Sequence, residues 1–334
     1  MEVKETCSCL LCSGSAELVE QRYPGYQEPL TFDIYYCSNC NTSFSTPRVE
    51  TSQIYEHIYK NGSKVPAYKR YWQYLNEIKS SKDPLHYLSQ KEEMYWAVRH
   101  SLLEMNNSKT IKIMEVGCGL GYLTYALVKE GYDVIGIDIS KNAVDEAIKS
   151  FGNYYICADV FEYVSEHQNL YNVIILTEVI EHLNEPLKFL ESIMLMLKKG
   201  GRIIITTPNK TVFPKDVSWA TELPPIHLWW FTEDSMKFMA TKISANVSFI
   251  DFSDFYKKKP CLIEVNKFIN KFPLLNKDGS VINIPKENGR FRSFLAGIPF
   301  FRLLNVKIKS AFSKTYVCQK RGPVMGAIFE KNAM

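Results

Sequence analysis

The sequence predicts an α/β fold, a parallel sheet covered by helices on both sides, with a cysteine-rich module ahead of it and a basic insert before its last strand. Three observations carry that prediction. From residue 110 onward, short apolar runs alternate with amphipathic helical segments. A glycine-rich turn separates the first run from the first helix. Five of the nine cysteines fall in the first forty residues.

The cysteine module comes first. Cys9-Leu-Leu-Cys12 and Cys37-Ser-Asn-Cys40 are two C-x₂-C turns separated by 24 residues, with Tyr35-Tyr36 entering the second. Each turn brings two thiolates to one side, and two turns complete a tetrahedral zinc site. Residues 1–48 therefore read as a zinc ribbon around a small hairpin, with Cys9, Cys12, Cys37 and Cys40 as ligands of a structural ion. Cys7 gives only the looser C-x₄-C spacing and is treated as spare. Cys118, Cys157, Cys261 and Cys318 are scattered and read as core or neutral positions. The N-terminus has no apolar stretch of the signal-peptide kind, and no run has the length of a membrane span. The expected address is the cytoplasm, with a peripheral place at the inner membrane face as the alternative. Disulfides are unlikely to form there and clustered cysteines more often bind metal.

Residues 49–107 read as a helical linker or lid rich in aromatics, among them Tyr55, Tyr71, Trp72, Tyr74, Tyr95 and Trp96, with helical spacing from Tyr87 to Met105. Packing between ribbon and core, and closure over a ligand, are equally compatible with that composition.

The core is expected over residues 108–334. Ile111 to Val116 is apolar enough for a buried parallel strand. Gly117, Gly119 and Gly121 follow, where a missing Cβ lets the backbone turn tightly and approach a ligand. Tyr122 to Lys129 has helical spacing, Tyr132 to Ile137 is a second strand, and Asp138 ends it, where an acid can take both hydroxyls of a ribose. Tyr154 to Ala158 and Asn172 to Leu176 are the third and fourth strands. Glu185 to Lys199 is an amphipathic helix closed by Gly200-Gly201. Arg202 to Thr207 is the fifth strand, Val247 to Phe255 the sixth and Val324 to Glu330 the seventh.

The glycine pattern bears on the ligand. A dinucleotide site wants G-x-G-x-x-G under its pyrophosphate, whereas here Tyr122 follows Gly117-Cys118-Gly119-Leu120-Gly121. Glu115 at the strand end repels a pyrophosphate and suits a cation such as a sulfonium or ammonium. The segment from Ile111 to Ser140 resembles motif I of class I S-adenosylmethionine-dependent methyltransferases, and the resemblance runs from about Thr110 to Asp251 with its motifs in order. It implies a Rossmann-like seven-stranded core that binds S-adenosylmethionine. The glycine loop with Cys118 would carry the cofactor, and Glu115 would support its methionine end. Asp138 would hold the ribose and Ile139 the adenine face. Asp159 would read the adenine amino edge, Val160 would pack on the ring, and Thr177 would complete the site.

Two histidine-bearing stretches follow parallel strands on the ligand side of such a sheet: Glu178-x-x-Glu181-His182, and His227 in Pro224-Pro225-Ile226-His227-Leu228-Trp229-Trp230-Phe231-Thr232. His227 or His182 reads as a general base on an acceptor hydroxyl, with Glu178 beside them. Alternatively Glu178, Glu181, His182 and His227 hold a divalent cation such as Mg²⁺. The E-x-x-E-H stretch is similar to that of metal-dependent ubiquinone-pathway O-methyltransferases. With the later histidine near W-x-F-T it also looks like small-RNA 3′-terminal 2′-O-methyltransferases. A third reading leaves both residues to the fold, since Glu-His pairs follow this strand in many methyltransferases without a catalytic metal.

From Lys257 to Arg321 there are fifteen Lys and Arg against Glu264, Asp278 and Glu287, a local charge of +12 in a chain of net +4. Such asymmetry suggests an anionic partner. The mixed basic and apolar stretch 291–312 suits peripheral membrane contact, or plain packing with solvated lysines. A zinc ribbon ahead of this core resembles bacterial enzymes that methylate sugars, including nucleotide-linked deoxysugars. The expected activity is methyl transfer to oxygen on a sugar-like or other hydroxylated small molecule, anionic and nucleotide- or lipid-linked in the finer version. Nucleic acid as acceptor, and a non-catalytic cofactor-binding scaffold, are the rival expectations.

Overall fold

The structure is a computed structural model. It describes residues 5–62, 64–65, 68–105, 109–213, 223–264, 272–282 and 315–332. The N-terminal module is a sheet of four antiparallel strands, β1 (Thr6–Ser8), β2 (Ser15–Pro24), β3 (Thr31–Cys37) and β4 (Thr42–Thr46). The expected hairpin is β2–β3, whose register slips between Leu18 and Tyr23. Four helices follow: α1 (Ser52–Asn61), α2 (Lys69–Glu77), α3 (Pro84–Ser89) and α4 (Glu93–Glu104). The single helix expected over 87–105 is thus two. Asp83 caps α3 by accepting from the His86 N–H at 2.8 Å, and α4 starts afresh after an extended Glu92.

The core begins with β5 (Lys112–Val116), α5 (Tyr122–Lys129), β6 (Asp133–Asp138), α6 (Lys141–Phe151), β7 (Tyr155–Cys157), α7 (Val160–Tyr163) and β8 (Tyr171–Thr177). It continues with α8 (Pro186–Met196), β9 (Leu197–Pro208), β10 (Trp229–Trp230), α9 (Glu233–Lys242) and β11 (Ala245–Phe249). The last elements are α10 (Ser253–Lys258), β12 (Leu262–Glu264), β13 (Thr315–Val317) and β14 (Val324–Lys331). Seven strands form one sheet in the order β11-β14-β9-β8-β5-β6-β7. The five central and right-hand strands run parallel, and β14 pairs antiparallel with both β9 and β11. This is the Rossmann-like arrangement of the class I methyltransferase fold. The middle strands are apolar throughout because helices cover both faces: Ile113, Met114, Val173, Ile174, Ile175, Ile203, Ile204 and Ile205 are completely buried.

Two boundaries differ from expectation. Helix α8 ends at Met196, not Lys199, because Leu197 is already extended and pairs with Tyr171. Gly200, with φ of +68°, serves a bulge inside β9, where the pairing jumps from Tyr171–Leu197 to Val173–Arg202. The sixth strand stops at Phe249, and Ser253–Lys258 is helical, with the Asp251 carboxylate accepting from the Ser253 N–H at 2.9 Å.

The ribbon is not a bead on a string. β10, from the core, pairs with β4, setting Trp229 opposite Phe44 and Trp230 opposite Ser43. One apolar cluster runs from Cys9, Leu11, Tyr35 and Phe44 through Trp229 to Leu190 and Ile203. The basic stretch 291–312 lies outside the described residues. Among the described residues no helix is long and apolar enough to cross a membrane.

Candidate active site

The loop after β5 is built from positive-φ glycines. Gly119 has φ of +49° and nothing within 4 Å of where a Cβ would stand, so its approach side is open. A Cβ on Gly121 would lie 2.5 Å from the Tyr155 ring, so that position is dictated by packing. Gly117 faces Val179: an added Cβ would meet Val179 Cγ2 at 2.5 Å, which brings the loop against the segment after β8. Cys118 is buried under the loop, and burial pushes its thiol up.

Asp138 ends β6 with its carboxylate accepting from the Gly119 N–H and the Ser140 N–H, both at 2.8 Å. Its pKa is raised by burial against these bonds. Ile139 follows with 74% of its surface exposed, an apolar side chain on the ligand side of the sheet. Asp159 caps α7, accepting from the Phe161 N–H at 2.6 Å, while Val160 is turned into the core. Phe161 is the exposed apolar residue at that position. Glu115 is 2% exposed and accepts from the Thr124 hydroxyl of α5. Burial pushes it up to about 8, and the Asp138 charge adds to this.

That displacement has a consequence for stability. The unfolded chain ionises a glutamate near about 4.3. Between there and about 8 the folded state holds a proton that the unfolded state has lost. Stability therefore falls as pH rises through that window, by up to about 1.4 kcal/mol per unit from this group. Glu115→Gln is expected to flatten that slope in urea denaturation. An unchanged slope would mean that the carboxylate stays ionised throughout.

After β8 the backbone turns sharply. Thr177 pairs with Thr206, and Glu178 takes φ of +55°, a left-handed conformation rare outside glycine and concentrated at functional sites. A short 3₁₀ turn, Ile180–His182, then brings Glu181 and His182 next to His227. Ligand atoms of Glu181, His182 and His227 all lie within 4.8 Å of one another. Glu178 stands outside that trio. Glu181 is fully buried and one of its oxygens accepts from the Thr207 hydroxyl at 2.9 Å. The other, Oε1, lies 3.8 Å from His182 Nε2. His182 Nδ1 lies 2.6 Å from the Ile226 carbonyl, which can only accept, so Nδ1 carries the proton and Nε2 offers a lone pair. The His182 and His227 rings meet edge to face, 4.7 Å between centroids.

Burial opposes ionisation of every group in this cluster. Burial raises Glu178 well above the usual carboxylate range, with the Glu181 charge second, and burial raises Glu181 to about 8. Burial lowers both imidazoles, His227 the more, with His182 adding to it. Glu178 Oε1, Glu181 Oε1 and His227 Nδ1 are buried without a hydrogen-bond partner. Such orphaned atoms cost about 1–3 kcal/mol each. Unsatisfied oxygen and nitrogen atoms this close to one another could hold a cation.

The helices over this site were not assignable from sequence. Burial raises the Tyr55 hydroxyl on α1, and the charges of Glu181 and then Asp138 add to it. Tyr71 on α2 stacks on Tyr122 at 6.5 Å, binds Arg70 through its hydroxyl at 2.9 Å and feels the Glu178 charge. Both tyrosines were visible as aromatics, but nothing in their spacing told where α1 and α2 would lie.

In the ribbon the sulfurs of Cys9, Cys12, Cys37 and Cys40 lie within 4.8 Å of one another, and Cys7 stands outside the group. Cys9–Cys40 is 3.6 Å and Cys12–Cys37 is 3.5 Å. A tetrahedron with metal–sulfur bonds of about 2.3 Å has edges near ~3.8 Å, so the four fit one ion. The N–H groups of Leu11 and Gly14 donate to Cys9 and Cys12, each at 3.4 Å, as they would to thiolates.

Residues 86–244 match the family model described as Methyltransferase domain. Among curated proteins, the ubiquinone biosynthesis O-methyltransferase of Aliivibrio fischeri is 28% identical over 148 residues, 43% of this chain and 59% of that protein. The mitochondrial ubiquinone biosynthesis O-methyltransferase of Rattus norvegicus is 36% identical over 110 residues, 30% of this chain and 32% of its own length. The chain thus spans less than two thirds of the curated relatives it matches here. A solved S-adenosylmethionine-dependent methyltransferase from Archaeoglobus fulgidus aligns with 78% of this chain and 99% of its own, at 14% identity and a TM-score of 0.42.

Proposed function

We propose that the protein transfers a methyl group from S-adenosylmethionine to a hydroxyl oxygen of a small molecule. The cofactor lies over the Gly117–Gly121 loop, with Gly119 giving the close approach. Asp138 takes the ribose hydroxyls with the oxygen lone pairs its two backbone bonds leave open. Ile139 lies on the adenine, Asp159 and the Val160 backbone read its edge, and Cys118 and Thr177 complete the wall. Glu115 acts from beneath the loop, where a sulfonium or ammonium nearby favours its ionised form.

The observation that carries oxygen as the acceptor is the close trio of Glu181, His182 and His227, in which Glu181 Oε1 and His227 Nδ1, like Glu178 Oε1 beside them, lack a hydrogen-bond partner. These residues would hold a divalent cation, the carboxylates suiting the Mg²⁺ expected from sequence and the imidazoles a softer ion, which when bound would act as a Lewis acid on an acceptor hydroxyl. The chain's own residues prepare the place. The Thr207 hydroxyl fixes the Glu181 carboxylate, and the Ile226 carbonyl fixes the His182 tautomer. Residues 49–107 act as the lid, with Tyr55 and Tyr71 keeping water from the space between ribose acid and carboxylates. Methyl transfer is an in-line displacement, so alignment supplies much of the rate. The ribbon, residues 1–48, holds a structural zinc.

Relatives named as O-methyltransferases of ubiquinone biosynthesis support a hydroxylated small molecule as acceptor. The order of ribbon and core, and the basic charge of 257–321, favour within that class an anionic, sugar-type acceptor.

The test is methyl transfer from labelled S-adenosylmethionine to a panel of catechols, free sugars, nucleotide sugars and RNA, with EDTA or with Mg²⁺. Label is expected as an ether on a small molecule, lost in EDTA and restored by Mg²⁺. Label in RNA alone, or cofactor binding with no transfer at all, would sink the acceptor class. A rate indifferent to EDTA would sink the cation.

A further inference from the structure

Outside the cofactor loop, the carboxylate–imidazole cluster and the ribbon, the fold brings one more pair of nucleophilic side chains together. The chain enters the segment 265–314 through β12 and leaves it through β13, which pair antiparallel as Leu262–Val317, Ile263–Tyr316 and Glu264–Thr315. One step further along that register Cys261 stands opposite Cys318. The Cys318 N–H donates to the Cys261 carbonyl at 3.0 Å, so the ladder continues through the pair. The two cysteines, expected from sequence to be scattered, are neighbours at the neck of the basic insert.

Directly opposed antiparallel residues put their side chains on one face, with Cα atoms about 5.5 Å apart when hydrogen-bonded. A disulfide spans Cα separations of about 4.4–6.8 Å, so the bond needs no backbone rearrangement. The two thiols are close enough to perturb each other's ionisation. Their exposures differ in a useful way. Cys318 is 4% exposed, whereas Cys261 is half-exposed. A reagent in solution reaches Cys261 first, and Cys318 waits behind it. The base of the neck is anchored too: Lys259 donates to the carbonyls of Gln90 and Lys91 between α3 and α4.

We propose that Cys261 and Cys318 are a thiol–disulfide modification site that clasps the neck of the basic insert. The co-reactant is a small-molecule disulfide of the glutathione type. The Cys261 thiolate attacks one of its sulfurs, the sulfur–sulfur bond breaks and one glutathione thiolate leaves with a proton from solvent. Cys318 then loses its proton and attacks the Cys261 sulfur of the mixed disulfide, expelling the second glutathione. Two protein thiols are oxidised and one glutathione disulfide is reduced to two thiols. The product ties together both ends of the segment that carries most of the insert's charge.

The test equilibrates the full-length protein with oxidised glutathione, blocks remaining thiols and maps peptides by mass spectrometry. A Cys261–Cys318 linked peptide is expected, lighter by two hydrogen atoms than the reduced pair and abolished by dithiothreitol. In Cys318→Ser the reaction should stop at a glutathione adduct on Cys261. In Cys261→Ser, Cys318 should remain a thiol. Amide exchange at Ile263 and Tyr316 should slow on oxidation of the wild type and not of Cys318→Ser. A wild-type protein that accumulates the Cys261 adduct without linking to Cys318 would overturn the proposal. So would one whose only oxidised core cysteine is the exposed Cys157.

Discussion

His227→Ala is expected to abolish divalent-cation binding and to lower kcat/KM by about 10²–10⁴-fold, the range for losing a positioned acid–base or ligand group. Its side chain is the part of the cluster contributed from outside the β8 turn. Without it the Glu181 and His182 donors face an open side. Calorimetry with Mn²⁺ separates the roles: a cation ligand loses the binding isotherm, whereas a simple base keeps it and loses only rate. Glu181→Gln should part function from stability. It keeps the shape of a fully buried side chain whose Oε1 has no hydrogen-bond partner and removes its titration. The cation-free variant should melt higher than wild type near pH 7, because the folded wild type must hold a proton there that the unfolded chain has released. The further rise that Mg²⁺ gives the wild type should vanish. A wild type whose melting temperature ignores Mg²⁺ and Mn²⁺, with His227→Ala turning over normally, would remove the cation from the reading.

How much of this was legible in the chain follows from what each signal depends on. The β5 loop, α5 and β6 were readable almost to the residue, because a buried strand, positive-φ glycines and an amphipathic helix are each local demands. The cysteine cluster was readable for the same reason, since each C-x₂-C turn is made by its own four residues. The end of α8 was misplaced because Gly200-Gly201 looks the same at a helix stop and in a strand bulge. Only the pairing of Leu197 with Tyr171 decides between them. Tyr55, Tyr71 and the opposition of Cys261 to Cys318 depend on where distant segments land, which no spacing rule encodes. The cluster itself was half readable. Glu178, Glu181 and His182 share a stretch and suggest chemistry, but the proximity of His227 rests on β10.

That dependence on β10 gives the other large expected effect: removing the ribbon's metal should disable a site in another part of the chain. Cys37→Ser, or a zinc-selective chelator held long enough to strip the closed Cys₄ site, is expected to melt the ribbon and to cost most or all of the activity, a loss that Mg²⁺ does not restore, unlike the loss on brief exposure to EDTA. Structural zinc contributes about 10–16 kcal/mol in zinc-finger peptides, as much as the ~5–15 kcal/mol that holds a whole domain. The route to the core is short. Cys37 and Cys40 fix the turn that presents Asn41, whose carbonyl accepts from Thr232 at 2.8 Å and Ser235 at 3.1 Å, the residues that cap α9. β4 pairs with β10, and the Leu228 carbonyl accepts from Ser45 N–H at 3.0 Å, one residue from His227. Leu228 N–H in turn donates to the Glu181 carbonyl at 2.9 Å. A ribbon that comes apart therefore releases Trp229, Trp230 and the strand that holds His227 beside His182. Tryptophan fluorescence should shift red as zinc leaves, and activity should fall with the same dependence on chelator. Cys37→His, which restores a zinc ligand, should recover both. Full activity and an unchanged tryptophan spectrum in zinc-free Cys37→Ser would show that β10 keeps its place without the ribbon.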